Sequence, residues 1–191
     1  MNNLPEVLQS KTFAPAAGAN AFEESILALS IPKQKLDNWC WAAITEGLER
    51  AYGLPARSQC AIVAQTLGQQ CCPEGSNAAL CNQPHDLDPK VSSVYRNRFD
   101  RPDSRTFAFI RARIRGGFPV VAQIDWGNNG VTHVVVISGF RRIGAFFDLF
   151  VWDPHTGTRS IERFERFGIA FRDIGKWVVS FETQGRRIAH E

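Results

Sequence analysis

The sequence lacks the features of a membrane protein and of a conventionally secreted precursor. No stretch approaches the roughly 18 consecutive apolar residues that a membrane-spanning helix requires. The N-terminal sequence MNNLPEVLQSKTFAPAAGANAF has neither a basic start nor a continuous apolar run, so it does not resemble a standard secretory signal. We therefore expect no membrane span. We also expect a protein that stays in the cytoplasm of the producing cell or is exported by a route without such a signal.

The chain also lacks a strong excess of charge of either sign. It contains 22 basic and 19 acidic residues, for a net charge of +3. Arg111, Arg113 and Arg115 are partly clustered, but helical spacing would place them around a solvated face. An imbalance this small does not indicate nucleic-acid binding, which we do not expect. With 44% hydrophobic and 21% charged residues, the composition is instead typical of a globular protein.

A chain of 191 residues has the length of one domain of moderate size or of two small lobes. Residues 1–21 are rich in Ala, Asn, Pro and Gly and show little periodicity, which indicates a flexible arm, a leader or a propeptide. We expect the folded domain to span residues 22–191.

The first half of this domain has mainly helical signals. The clearest helix begins near Trp39, repeats apolar residues at the spacing of one helical face, and ends at Gly53. Asp37 or Asn38 would cap its start. Further helix signals are found at Ser58 to Leu67, closed by Gly68; at Asp88 with Pro89; and at Ser104 to Gly116.

After Gly117 the pattern changes to short β-branched and aromatic runs separated by turn sequences. The runs are FPVVAQIDW, THVVVISGFRR, FFDLFVWDP, SIERFERF and KWVVSFET, and the turns include GNNG, RIGA and HTGT. We predict an α+β fold with a helical lobe at about residues 32–117 and an antiparallel β-sheet lobe at about residues 118–184, enclosing a cleft.

A lone cysteine, Cys40, lies between two tryptophans at the start of the first predicted helix, in the sequence NWCWAA. The thiolate is the reactive form of cysteine, and unpaired N–H groups at a helix N-terminus stabilise its negative charge. Gln34, six residues upstream, could direct its side-chain amide toward the same point as the Cys40 backbone N–H. Two such donors would form an oxyanion hole.

A thiolate nucleophile also needs a base and a group that orients the base. His133 begins a strongly apolar strand in VTHVVVISGF, from which its ring can project into a cleft; an ordinary core histidine is the alternative. Asp153 ends the strand FDLFVWD and could accept a hydrogen bond from that imidazole if the two strands pair. Its alternative role is to initiate the turn at Pro154.

This series of residues resembles the papain-like cysteine peptidases. The match consists of Gln34, then Cys40 in NWCWAA, then His133 in THVVVISGF and Asp153 in VWDP, in that order. Within that group the chain is most similar to the compact bacterial enzymes related to double-glycine leader peptidases and to plant-pathogen effector proteases. The resemblance covers roughly residues 31–181 and leaves the N-terminal arm outside.

The resemblance implies a role for each of these residues. The implied roles are nucleophile for Cys40, general base and acid for His133, orienting residue for Asp153 and oxyanion donor for Gln34. The family often has Asn as the orienting residue, so Asp153 departs from its commonest pattern. The implied activity is that of a cysteine endopeptidase, which acts on a protein or peptide through a thioester and needs no metal or other cofactor. Such an enzyme could also trim its own N-terminal arm.

Two alternatives keep the same fold. A deamidase, isopeptidase or acyltransferase would use the same triad, because the thioester intermediate is common to all of them. A catalytically inactive binding module would keep the fold for protein recognition. Trp41 and Trp126 could form walls of a substrate cleft, and packing in the core is the alternative for both.

The other four cysteines are close together in a loop-rich region, and they are Cys60, Cys71, Cys72 and Cys81. A bond between adjacent residues is disfavoured, which leaves two connectivities for a pair of disulfides. One alternative is zinc binding together with His85, and another is a set of reduced, packed cysteines. Reduced cysteines are expected in the cytosol, whereas disulfides would indicate a protein that works outside it.

Overall fold

The structure is a computed structural model that describes residues 22–73, 77–127, 130 and 132–191. The predicted N-terminal arm, residues 1–21, lies outside the described residues, as do Asn128 and Asn129 of the predicted GNNG turn. The fold is α+β, as the sequence predicts. Within the described residues, none of the helices has the length and apolar character needed to cross a bilayer.

The described residues form a single sheet with helices around it. The strands are, in chain order, β1 (Phe22–Ile26), β2 (Tyr95–Phe99), β3 (Val120–Asp125), β4 (Thr132–Ile143), β5 (Phe146–Asp153), β6 (Thr158–Arg163) and β7 (Lys176–Thr183). The helices are α1 (Cys40–Ala51), α2 (Gln59–Leu67), α3 (Ala78–Cys81), α4 (Phe107–Arg115) and α5 (Phe164–Ala170), with a 3-10 turn at Pro102–Arg105.

The strand order is β2-β7-β3-β4-β5-β6, and each pairing is antiparallel. The long strand β4 has two neighbours along one edge: β3 pairs with its first half and β1 with its second half, while β5 occupies the opposite edge. A tight turn joins β4 to β5. The first residues of β4 therefore lie beside the last residues of β5, at the same end of the sheet.

Three sequence-based assignments are wrong. Strands are not confined to the region after Gly117, because β1 and β2 join the same sheet from the first half of the chain. The run SIERFERF is not one strand, since it divides into β6 and α5, whose Phe167 is buried in the core. Asp88 starts a turn and not a helix, since its carboxylate accepts hydrogen bonds from the backbone N–H groups of Lys90 and Val91.

The other predicted helices are confirmed, with small changes at their ends. Ser58 caps α2 by accepting a hydrogen bond from the Ala61 N–H, and Gly68 ends it in a left-handed conformation. α4 begins at Phe107, with Thr106 as its cap, rather than at Ser104.

Hydrogen bonds fix α1, which is largely buried, to the sheet. The hydroxyl of Thr45 donates to the Trp41 carbonyl in the preceding turn and accepts from the buried Tyr95 hydroxyl at 2.8 Å. At the other end of the helix, the Tyr52 hydroxyl donates to Thr183 on β7 at 2.5 Å. These bonds satisfy polar groups that the core would otherwise leave unpaired, so they define where α1 lies relative to β2 and β7.

Candidate active site

Cys40 is the first residue of α1 and is half-buried. All of the protein's 5 cysteines are described, and Cys40 is the one with a free thiol. Trp39 occupies the capping position without a side-chain hydrogen bond, so the expected cap by Asp37 or Asn38 is wrong. The N–H groups of the first helical turn have no partner within the helix, which leaves them available to a negative charge near the Cys40 sulfur.

Two disulfides close the region that follows α2. They join Cys60 to Cys72 and Cys71 to Cys81, which is one of the two connectivities that the sequence leaves open. Because these sulfurs are bonded to each other, they are not available as thiolate ligands for zinc. In the part of the chain that the structure describes, no group of three or more His, Cys, Asp or Glu side chains could hold a metal ion.

The segment that begins at Cys81 supports both tryptophans beside Cys40. The Trp39 indole N–H donates to the Cys81 carbonyl at 2.8 Å, and the Trp41 indole N–H donates to the Gln83 carbonyl at 3.0 Å. Both tryptophans are buried, so these bonds satisfy N–H groups that water cannot reach. The disulfide that includes Cys81 therefore anchors the segment that supports α1.

The imidazole of His133 lies between a sulfur and a carboxylate. His133 is the second residue of β4 and Asp153 the last residue of β5, and Nε2 of the histidine is 2.8 Å from Oδ1 of the aspartate. The ring also interacts with the Cys40 side chain, and this interaction raises the pKa of His133. Since Asp153 occupies Nε2, Nδ1 is the nitrogen that remains for the sulfur. The structure thus brings Cys40, His133 and Asp153 together where α1 meets the ends of β4 and β5.

The charges of these groups stabilise one another. Burial disfavours a charged His133 ring, but its contacts with Asp153 and Cys40 outweigh burial and raise the pKa of His133 to about 9, from the ordinary 6.5. Burial also disfavours a charged Asp153, yet hydrogen bonds from His133 and from the His155 backbone N–H hold the pKa of this carboxyl below its usual value. An imidazolium is therefore favoured at neutral pH.

Arg172 is a site residue that the sequence did not indicate. Its Nη2 atom lies 2.5 Å from Asp153 Oδ2, in an ion pair that is not aligned as a hydrogen bond. Arg172 and Asp173 have left-handed backbones, with φ values of 46° and 76°, in a turn that is closed by backbone hydrogen bonds between Phe171 and Gly175. Non-glycine residues adopt this conformation at a cost in free energy, and here it places a cation beside the Asp153 carboxylate.

Gln34 is joined to the turn that follows Asp153. Its backbone N–H donates to the Pro154 carbonyl at 2.7 Å. This close approach requires Gly157, because its φ is +71° and a Cβ atom there would lie 2.9 Å from the Lys33 backbone nitrogen. The turn sequence DPHTG therefore positions both Asp153 and the segment that carries Gln34.

The side-chain amide of Gln34 has other partners than those expected for an oxyanion donor. Its Nε2 donates to the backbone carbonyls of Leu36 and Asp37, at 3.1 and 2.6 Å. Its Oε1 is buried and accepts no hydrogen bond from the described residues. The amide thus lies in the same cavity wall as Cys40, but its N–H groups are bonded to the backbone.

A cavity of about 280 Å³ opens in front of Cys40 and His133. The residues that line it are Gln34, Asp37, Asn38, Cys40, Pro84, Trp126, Thr132, His133, His155 and Arg172. Among the residues singled out from the sequence, Asp153 is buried against His133 and Trp41 is a buried residue of α1, and neither lines this cavity.

Trp126 forms one wall of this cavity. Its ring is stacked near the His133 ring, with centroids 6.3 Å apart, and its centroid is 6.1 Å from that of Phe171. The stack requires a glycine at Gly175, because a Cβ atom there would lie 2.8 Å from the Trp126 ring. Trp126 therefore forms an aromatic wall of the cavity beside the imidazole.

Sequence reasoning missed several residues of the cavity wall. Thr132 and His155 are close neighbours of His133 and Asp153 in the chain, so a search of adjacent polar residues would have found them. Arg172 has no such signal, because it follows a helix that was predicted as a strand.

The comparison with protein families agrees with this geometry. A model of the Peptidase_C39 like family matches residues 26–178, which include Cys40, His133 and Asp153. The chain belongs to the Peptidase_C39 like family. No curated protein matches the chain significantly. As a Peptidase_C39 like protein, it is a papain-like cysteine peptidase related to the C39 leader peptidases.

Proposed function

We propose that this Peptidase_C39 like protein is an endopeptidase with a catalytic triad of Cys40, His133 and Asp153. The observation that carries the proposal is the position of the His133 imidazole, which hydrogen-bonds Asp153 and lines one cavity together with Cys40. A base that contacts the nucleophile on one side and an orienting carboxylate on the other is the arrangement that activates a thiol for acyl transfer. The folded domain of this proposal spans residues 22–191.

The reaction has two stages. In the first, the Cys40 thiolate attacks the carbonyl carbon of a peptide bond, and the His133 imidazolium gives its proton to the amine that leaves as the C–N bond breaks. In the second, neutral His133 takes a proton from water, the hydroxide attacks the thioester, and Cys40 leaves as the thiolate. Asp153 keeps the imidazole in one orientation and stabilises its positive charge in both stages.

The negative oxygen of each tetrahedral intermediate needs hydrogen-bond donors. The Cys40 backbone N–H, at the start of α1, is one donor in this proposal, and the Gln34 amide is the other. Gln34 Nε2 now donates to two carbonyls, so it must release one of them to bind the oxyanion. The longer contact, with the Leu36 carbonyl at 3.1 Å, is the one that we expect to break.

The substrate in this proposal is a protein or peptide chain that lies in a cleft between the helical part of the protein and the sheet. Support comes from the cavity in front of Cys40, whose walls come from both parts of the structure: Asp37 and Pro84 on one side, Trp126 and Arg172 on the other. A peptide that crosses this cavity would pass both the sulfur and the imidazole.

The test is a defined peptide library incubated with wild-type protein and with Cys40→Ala, followed by mass spectrometry. An endopeptidase produces new termini with the wild type and none with the variant. Unchanged masses would exclude hydrolysis. A mass increase of about 1 Da without a break in the chain would indicate deamidation, and joined peptides would indicate acyl transfer. No change of any kind, together with ordinary thiol reactivity at Cys40, would indicate the inactive binding module.

Trimming of the N-terminal arm, residues 1–21, is a second part of the proposal. It rests on the lack of pattern in this segment and on its position beside a peptidase domain. The test is intact-mass measurement of wild-type and Cys40→Ala proteins made in the same way. A shorter wild-type chain supports trimming by the protein itself, and identical N-termini contradict it.

The disulfides support a site of action outside the cytosol. Cys60–Cys72 and Cys71–Cys81 are bonds of a kind that cytosolic reductants normally remove. We therefore favour export over residence in the cytoplasm. Alkylation of free thiols in the native host, before lysis, tests this: four protected cysteines support export, and five alkylated cysteines contradict it.

A further inference from the structure

A second cavity lies on another side of the nucleophile. It is small, about 30 Å³, and borders both Cys40 and His133. Its apolar walls come from Trp41, Leu87, Val134 and Phe181. A space of this size admits roughly one or two water-sized groups, so it excludes all but the smallest side chains.

One polar atom in this cavity has no hydrogen-bond partner among the residues that the structure describes. Gln123, at the fourth position of β3, lines the cavity, and its Oε1 is buried and accepts no hydrogen bond from the described residues. His85, another residue of the wall, has its Nδ1 bonded to the Asp86 carbonyl at 2.7 Å. A buried acceptor without a donor is unfavourable, and such atoms are rare in folded proteins.

The place of Gln123 in the sheet explains why its side chain faces this cavity. It pairs with Val134 on β4, directly beyond His133, and with Val179 on β7. Neighbouring side chains at this level of the sheet are apolar and cannot donate to the amide oxygen. None of the described residues donates to Gln123 Oε1, although Thr132 and His85 also line the cavity, so a molecule that enters it can supply the donor.

We propose that this cavity is a substrate subsite in which Gln123 accepts a hydrogen bond from the hydroxyl of a serine close to the scissile bond. The inference rests on the proposed peptidase activity, and it adds to it a preference for one residue type. A hydroxymethyl group fits the volume and offers the O–H donor that Gln123 lacks. An alanine would fill less of the cavity and leave the acceptor unpaired, and larger side chains would not enter.

The experiment compares peptides that differ only in one residue. Each position on either side of the cleaved bond is occupied in turn by serine or by α-aminobutyrate, which has the same size but a methyl in place of the hydroxyl. We expect wild-type kcat/KM to favour serine at one position by about 5- to 100-fold, the range expected when a buried acceptor loses its donor. Equal rates at every position would overturn the proposal while leaving the peptidase activity established.

The variant Gln123→Met keeps the size of the side chain and removes the acceptor. We expect it to cleave the serine and α-aminobutyrate peptides at similar rates. Gln184→Met is the matched control, because Gln184 is an exposed residue directly after β7 whose amide donates to the Ser93 carbonyl. This variant should keep the serine preference. A preference that persists in Gln123→Met contradicts the assignment. Gln123→Leu serves the same purpose if the methionine variant does not fold.

A failure of the proposed function gives a different result. If the wild type cleaves no peptide with either residue at any position, the peptidase proposal and this subsite are both overturned. If it cleaves both peptides of each pair without discrimination, only the subsite is overturned.

Discussion

The replacement Asp153→Asn should lower the pH at which His133 loses its proton. The pKa of His133 is about 9 in the folded protein, against an ordinary value of 6.5. Since one pKa unit corresponds to about 1.4 kcal/mol, the folded environment favours the imidazolium by about 3 kcal/mol. Because the folded pKa is the higher one, this contribution to stability is fully present below pH 6.5 and is lost as the pH rises through about 9.

Asparagine keeps a hydrogen-bond acceptor but removes the negative charge. Burial, which is the largest influence on the His133 ring and disfavours its charge, is then less strongly opposed. We expect the titration to move down by about 1 to 2 pH units. The imidazolium would then be largely lost at neutral pH or slightly above it.

The assay compares the rates at which anionic iodoacetate and neutral iodoacetamide alkylate Cys40. The imidazolium attracts the anion, so the ratio of the two rates should fall through about pH 9 in the wild type and at lower pH in Asp153→Asn. Asp148→Asn is the matched control: Asp148 is a buried carboxylate on the same strand, but it pairs with Arg141 at 2.9 Å. An unchanged titration in Asp153→Asn, or an equal change in Asp148→Asn, would refute the reasoning.

Three further predictions concern the surroundings of the site. Arg172→Met removes a cation beside the Asp153 carboxylate, so the fall of the same alkylation ratio should move to higher pH. A move to lower pH contradicts the ion pair. Arg57→Met leaves the buried Glu49 without its ion-pair partner. We expect the free energy of unfolding, measured by urea titration at neutral pH, to fall by about 3 kcal/mol. The loss should be smaller in acid, where Glu49 can be protonated. In the double variant Cys71→Ser with Cys81→Ser, the free energy of unfolding should fall by about 2 to 4 kcal/mol, and Cys40 should be alkylated more slowly. Unchanged stability and unchanged reactivity of Cys40 would show that this disulfide supports neither.

The three residues of the proposed triad could be singled out from the sequence because each lies at the end of a strongly patterned element. Cys40 begins a helix with a clear apolar face, His133 begins an apolar strand, and Asp153 ends the next one. Strands that follow each other in the chain usually pair, so the start of β4 and the end of β5 were expected to meet. The positions of these three residues could therefore be predicted from the hydrophobic patterns of single helices and strands.

Other features of the fold and of the site depend on contacts between residues far apart in the chain, which local sequence patterns do not reveal. β2 buries Tyr95 but exposes the next three residues, so its sequence lacks the alternation of buried and exposed residues that would predict a strand. Phe164 and Phe167 are spaced by three residues, which fits a helical face, but β-propensity favoured a strand. The ion pair of Arg172 depends on a left-handed turn between α5 and β7. The orientation of the Gln34 amide depends on which carbonyls lie within reach.

The most direct test of the account is to look for acylation of Cys40. A peptide that the wild type cleaves is mixed with the protein, the reaction is stopped with acid within a turnover, and the intact mass is measured. We expect the mass of the protein plus the N-terminal half of the peptide, with the adduct located on Cys40, and none in His133→Ala. Cleavage without a Cys40 adduct, or an adduct that forms as fast in His133→Ala, would contradict the account.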